Sequence, residues 1–261
     1  MVATVAAGSD WKPFRALLAL FVSLALQVGV NYSNDYSDGI RGTDDNRIGP
    51  TRLTASGLAS AASVKRAAFI SFGAASVAGL VLASLSSWWV ILIGAVSIAA
   101  AWGYTGGKNP YGYKGLGEVS VFIFFGIIAT VGTYYVQTLK LTWLAFSASV
   151  PMGALACALL AINNIRDRAQ DLLVAKRTLA VRLGDKNSRR FLVVLLASAY
   201  LFAALTLKPW ALIVVVTLPI AIGISRSVMA GATGKDLIPL LAKTGQLQLL
   251  FALTFAVGLA L

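Results

Sequence analysis

Leu155-Ala-Cys157-Ala-Leu-Leu-Ala-Ile-Asn163-Asn164-Ile-Arg166-Asp167-Arg168-Ala-Gln-Asp171 passes within a few residues from an unbroken apolar run into amides and charges. The apolar part begins near residue 142 and, wound as a helix, matches the thickness of a hydrocarbon bilayer. Runs of the same kind recur along the chain. Helices are expected over 14–33, 66–86, 88–104, 119–137, 142–164, 191–207, 209–229 and 244–261. The fold class expected is all-α, a polytopic transmembrane bundle of about eight spans. Composition agrees: at 58% hydrophobic and 12% charged residues, a water-soluble fold has too little polar surface to cover itself. A lipid-embedded backbone must pair its own amides, and uninterrupted Leu-, Ala- and Val-rich runs do so as helices, not as alternating barrel strands.

What is missing narrows the chemistry. There is no histidine, which removes the commonest general base and transition-metal ligand. The one cysteine, Cys157, lies inside an apolar run and excludes a disulfide framework. Carboxylates, amides, Lys, Arg, Tyr and hard cations remain. Met1–Asp10 shows no basic start and apolar core of a cleavable signal peptide. The net charge of +12 is read as membrane topology, not as nucleic-acid binding. Loops after the first, third, fifth and seventh spans carry most of the Lys and Arg, whereas Lys140 and Lys208 lie opposite. The rich face is expected to be cytoplasmic. Asp35, Asp38, Asp44, Asp45, Glu118, Asp167, Asp171, Asp185 and Asp236 fall on that same face; Asp10 does not.

Two segments share a pattern. Asn34-Asp35-Tyr-Ser-Asp38 ends the first span and Asn163-Asn164-Ile-Arg166-Asp167 ends the fifth. Each is Asn-x-x-x-Asp, and Asp171 extends the second by another turn, so the polar groups share one helical stripe. An offset of four spans returns both to one membrane face, as in a weak internal repeat. Two opposed carboxylate clusters suit a pair of Mg²⁺ ions holding a diphosphate, because Mg²⁺ takes one or two carboxylates and fills its octahedron with water and phosphate oxygens. Helix-terminal solvation explains either cluster alone; the matched spacing and side favour a shared site. Basic residues follow each cluster: Arg41, Arg47 and Arg52 after the first, Lys176, Arg177 and Arg182 after the second. They suit either topology or a grip on departing diphosphate. The loop Tyr104-Thr-Gly-Gly-Lys108-Asn-Pro-Tyr111-Gly-Tyr113-Lys114 offers glycines for close backbone approach and tyrosines for a pocket wall, or serves as an interfacial aromatic belt.

Taken together, the paired Asn/Asp clusters resemble those of the UbiA-type intramembrane prenyltransferases. The string from Asn34 to Asp44 with Gly42, the tail Arg47-Ile-Gly49-Pro50-Thr-Arg52, the segment Gly115-Leu-Gly-Glu118, Gly132-Thr-Tyr-Tyr135-Val-Gln137, and Lys176-Arg-Thr-Leu-Ala-Val-Arg182 resemble the 1,4-dihydroxy-2-naphthoate polyprenyltransferase branch. The resemblance implies one membrane-embedded prenyltransferase domain over 1–261. It implies Mg²⁺ at Asn34, Asp38, Asp44, Asp167 and Asp171, with catalysis by those four aspartates, Lys176 and Arg177. Substrates are expected against Asn34, Arg41, Arg52, Tyr104, Lys108, Lys114, Asn163 and Asn164; Asp35 and Asp45 carry over less securely. The expected partners are polyprenyl diphosphate, 1,4-dihydroxy-2-naphthoate and the lipid bilayer, with the active site at the cytoplasmic face of the cell membrane. The family is nine-helical, so the expectation is that a first helix before Trp11 is missing here. The rivals are another aromatic or lipid prenyltransferase of the superfamily and a cation transporter. A transporter would place its charges near mid-membrane.

Overall fold

The computed structural model describes residues 11–44 and 48–261; Asp10, Asp45 and Arg47 lie outside the described residues. Among the described residues the regular structure is helical, in eight main elements. We number them α1 (Pro13–Gly39), α2 (Ala61–Leu85), α3 (Trp89–Thr105), α4 (Gly117–Thr138), α5 (Trp143–Leu173), α6 (Leu179–Ala204), α7 (Pro209–Met229) and α8 (Leu237–Ala260). Six are long and apolar enough to cross a membrane: α1, α2, α4, α5, α7 and α8 (with its leading turn). The shorter α3 is apolar throughout its 17 residues, about 25 Å of rise. In α6 the helix breaks at Gly184, whose φ of 73° is left-handed, and polar residues fill the first half. The expected 191–207 span begins past that polar half, and the helix ends at Ala204, short of the expected 207.

Helix ends follow local chemistry. Pro13 occupies the first turn of α1, where its missing N–H costs nothing. Ser60 caps α2 by accepting from the Ser63 amide at 3.2 Å. Two helices outrun their apolar spans: α1 continues through Asn34 and Asp38, and α5 through Asn163, Asp167 and Asp171. The stripes expected from the spacing are thus real helical faces.

The chain forms two compact units. One holds Lys12–Gly117 together with Ala169–Thr178. Here α1 and α2 pack closely because Gly29 leaves room for the Phe72 ring; a Cβ there would lie 2.5 Å from it. The other holds Glu118–Arg168 and Leu179–Leu261. Its core gathers Leu155, Ile162, Leu192, Leu196, Ile224, Val228, Leu247 and Phe251 around α5, whose buried face is built from Ala145, Ala148, Ala154, Ala158 and Ala161. Large residues such as Leu17, Leu201 and Leu253 point outward. That distribution suits lipid: with no hydrophobic drive between helices, small residues permit the close backbone packing that holds the bundle. Pro151 sits within α5, and α4 opens into a π-helical stretch over Phe122–Ile128.

Candidate functional site

In the first unit, Lys176 joins two carboxylates. Its ammonium lies 3.3 Å from Asp38 Oδ2 and 3.9 Å from Asp171 Oδ1. Both aspartates are buried, at 4% and 6% exposure. The Tyr113 hydroxyl donates to Asp38 Oδ1 at 2.8 Å, and the Thr178 hydroxyl donates to Asp171 Oδ2 at 3.2 Å. Lys176 also stands 5.0 Å over the Tyr113 ring, a cation–π arrangement. Burial first, and the Asp38 carboxylate second, push the Tyr113 phenol well above its ordinary range, so it stays a donor. Local geometry makes this cluster: the Lys176 amide closes the end of α5 on the Asp171 carbonyl at 2.8 Å, and the Arg177 amide bonds the Tyr113 carbonyl at 3.0 Å.

The segment after α1 is wrapped around Asp38. Its carbonyl accepts from the amide and hydroxyl of Thr43, and the Thr43 hydroxyl is 3.3 Å from that of Tyr113. Gly42, at φ 69°, permits the turn. Asp44 then pairs with Arg52 at 3.3 Å. Asp35 acts on the backbone instead. Its two oxygens take the amides of Leu53 and Thr54, each at 2.8 Å, and pin the following loop. Gly39 allows Thr54 to come close. Asn34 Oδ1 accepts from the Thr105 hydroxyl at 2.8 Å. Arg41 turns its guanidinium to the carbonyls of Ser37, Thr105 and Gly107, so it braces the glycine loop. Tyr104 stacks edge-on with Tyr111, while Lys108, Lys114 and Arg177 are exposed.

In the second unit, Asp167 forms a bidentate pair with its neighbour Arg166, at 2.6 and 2.8 Å. Asn163 turns its amide nitrogen back to the Leu159 carbonyl, and Asn164 donates to Glu118 Oε1 at 2.8 Å. Arg189 clasps Asp185 and also caps the Val228 and Ala232 carbonyls at the end of α7.

The structure brings Asp38, Asp171 and Lys176 into one cluster. Tyr113 and Thr178 complete it. Tyr113 was visible only as one of several loop tyrosines, and Thr178 only as the residue after Lys176-Arg177. Among the described residues no group of three carboxylates closes a metal cage alone. The donor set nonetheless fits Mg²⁺: it is all hard oxygen, and the two carboxylates already share a cationic group. Such a set suits a cation held jointly by protein and phosphate.

A polytopic helical membrane protein with two buried carboxylates joined by one lysine is what fold and cluster define. Residues 1–238 match the UbiA prenyltransferase family, and the chain belongs to that family. It is 49% identical over 249 residues to the 1,4-dihydroxy-2-naphthoate octaprenyltransferase of Mycobacterium tuberculosis, covering 95% of this chain and 85% of that one. The Escherichia coli protein of the same name is 35% identical, with 96% and 85% covered. A solved UbiA homologue from Archaeoglobus fulgidus, bound to GPP and Mg²⁺, shares the fold at a TM-score of 0.64, with 14% identity, 100% of this chain and 95% of that chain covered.

Proposed function

We infer that the chain works as one membrane-embedded domain that transfers a polyprenyl group from its diphosphate to 1,4-dihydroxy-2-naphthoate, with decarboxylation, in menaquinone biosynthesis. The observation that carries the reading is the Asp38–Lys176–Asp171 cluster at the ends of two Asn-x-x-x-Asp helices. The 49% identity to a naphthoate octaprenyltransferase supports the acceptor. The concentration of Lys and Arg on one face supports an active site at the cytoplasmic side of the cell membrane.

Asp38, Asp44, Asp167, Asp171 and Asn34 would hold Mg²⁺, which supplies charge neutralisation that makes diphosphate a better leaving group. Lys176 lies against Asp38 and Asp171 and stabilises negative charge as it grows on the departing diphosphate. Tyr113 holds Asp38 in orientation from one oxygen, and Thr178 holds Asp171. The exposed Arg177, Lys108 and Lys114 raise the local positive potential that attracts a polyanion.

The test supplies purified enzyme in lipid nanodiscs with labelled polyprenyl diphosphate and either dihydroxynaphthoate or 4-hydroxybenzoate. Transfer to the naphthoate, lost on chelation, is expected. Asp38→Asn and Asp171→Asn should each lose transfer while still inserting in the membrane. Full activity of either variant, or in excess chelator, sinks the metal assignment. Prenylation of the benzoate alone moves the protein to another branch.

A further inference from the structure

Glu118 opens α4, and α5 grips it at two points. The Cys157 thiol donates to its carbonyl oxygen at 3.1 Å, and Asn164 donates to Oε1 at 2.8 Å. Cys157 and Asn164 are two turns apart on one face of α5. The side chain is only 5% exposed, yet its other oxygen, Oε2, is buried and meets no hydrogen-bond donor among the described residues. A carboxylate oxygen kept from water without a donor is costly, by about 1–3 kcal/mol or more, and asks for an explanation. The contrast with other carboxylates of the chain is sharp. Asp38 and Asp171 each meet an ammonium and a hydroxyl, and Asp167 meets a guanidinium.

Position supplies the second observation. Asn164 precedes Asp167 by three residues of continuous helix, about 4.5 Å of rise towards the apolar part of α5. In a prenyl diphosphate the allylic carbon lies on the apolar side of the phosphates. With Asp167 at the diphosphate, as proposed above, an acceptor ring attacking that carbon would come to the level of Asn164, which holds Glu118.

We propose that Glu118 Oε2 accepts a hydrogen bond, and then the proton, from a ring hydroxyl of the aromatic acceptor, which makes Glu118 a catalytic residue. This rests on the prenyl-transfer reading above. The new C–C bond forms between the allylic carbon and the ring carbon bearing the carboxylate. The allylic C–O bond breaks and its electron pair leaves with diphosphate. As the ring gains the prenyl group, the hydroxyl becomes a ketone and its proton passes to Oε2. The bond to the carboxylate then breaks, CO₂ departs, its electron pair restores the aromatic ring, and Glu118 returns the proton to the ketone oxygen. The carboxylate borrows a proton without consuming one. Because Asn164 and Cys157 fix the group, it meets the hydroxyl without reorganising.

The experiment compares wild type, Glu118→Gln and Glu118→Asp in nanodiscs on dihydroxynaphthoate and its two monomethyl ethers, which keep an electron-rich ring but lack one donor. Wild type should turn over one ether at least about tenfold more slowly than the parent. Glu118→Gln should lower kcat on the parent by about a hundredfold, leave KM for polyprenyl diphosphate within about twofold, and treat parent and ether alike. Glu118→Asp, which keeps the carboxylate, should retain discrimination and serves if the Gln variant fails to fold. Equal losses on all three acceptors, near-normal kcat in Glu118→Gln, or wild-type indifference to both ethers would overturn the assignment. Failure of the wild type to prenylate dihydroxynaphthoate at all would instead refute the functional reading beneath it.

Discussion

Replacing Lys176 by Met removes the cationic side chain that bridges Asp38 and Asp171 while keeping most of its apolar stem. At an effective dielectric constant of about 20, a unit pair at 3.3 Å attracts by about 5 kcal/mol and one at 3.9 Å by about 4. Those are gross attractions, and desolvation has already offset much of them. Breaking a buried pair by deleting one partner costs about 3–5 kcal/mol, because the remaining charge is left uncompensated. The Lys176 side chain is 19% exposed, which puts the expectation at the lower end, about 3 kcal/mol. For a chain of this size that is an apparent Tm lowered by roughly 6–12 °C in metal-free buffer. Millimolar Mg²⁺ should restore at least half of the loss, since a divalent cation can take the place the ammonium held, and it should shift wild type less. The assay is tryptophan fluorescence during heating in nanodiscs, at one scan rate, in chelator and in Mg²⁺. A variant that melts with wild type in chelator, or that gains no more from Mg²⁺ than wild type does, refutes the idea that these carboxylates require a shared cation.

Other outcomes follow from neighbouring groups. Asp35→Asn places an amide NH₂ against one of the Leu53 and Thr54 amides; urea or thermal melts should show a loss of about 1–3 kcal/mol, with Mg²⁺ affinity by calorimetry unchanged. Single cysteines at Lys140 and Lys186, in a Cys157→Ser background, should label with an impermeant thiol reagent from opposite sides of the membrane; labelling from one side contradicts the helix order. The hydrogen bond from Arg189 holds the Asp185 carboxyl below its usual range. Its contribution to stability is present above the unfolded-state pKa and is lost as pH falls through the lower folded value. Asp185→Asn should therefore flatten the acid limb of an unfolding curve, and an unchanged limb would show that the pair does not couple to folding.

The spans were legible because twenty-residue apolar runs have few other uses, and the Asn-x-x-x-Asp stripes because α1 and α5 keep their helical period past the apolar boundary. Other features are set by contacts far apart in the chain. Nothing local separates Asp35 from Asp38, yet one pins a loop and the other faces Lys176. The partnership of Tyr113 with Asp38 spans 75 residues and depends on how the glycine loop folds back. Gly184 stands in a run that reads as helical on both sides, and its left-handed φ breaks α6 where hydropathy alone shows only a shorter span. The Arg166–Asp167 clasp joins adjacent residues, which helical spacing rules overlook because neighbours point to different faces.

The π-helical stretch Phe122–Ile128 lies just beyond Glu118, where Gly126 meets Gly153 of α5 closely enough that a Cβ would fall 2.6 Å from its Cα. A π turn holds one residue more than an α turn, and each residue of a helix carries about 100° of rotation. The stretch thus works as a phase shifter: the Gly126–Gly153 seam fixes the bearing of α4 on one side, and the extra residue dials the bearing of Glu118 on the other. Relaxing the stretch Phe122–Ile128 to α geometry with all its residues kept would swing Glu118 by about 100° away from Asn164 and Cys157, whereas deleting one residue as it relaxes would keep the bearing. Changes in acceptor preference can therefore arise from a change in helix type within this stretch, with every residue proposed to touch the acceptor left as it is.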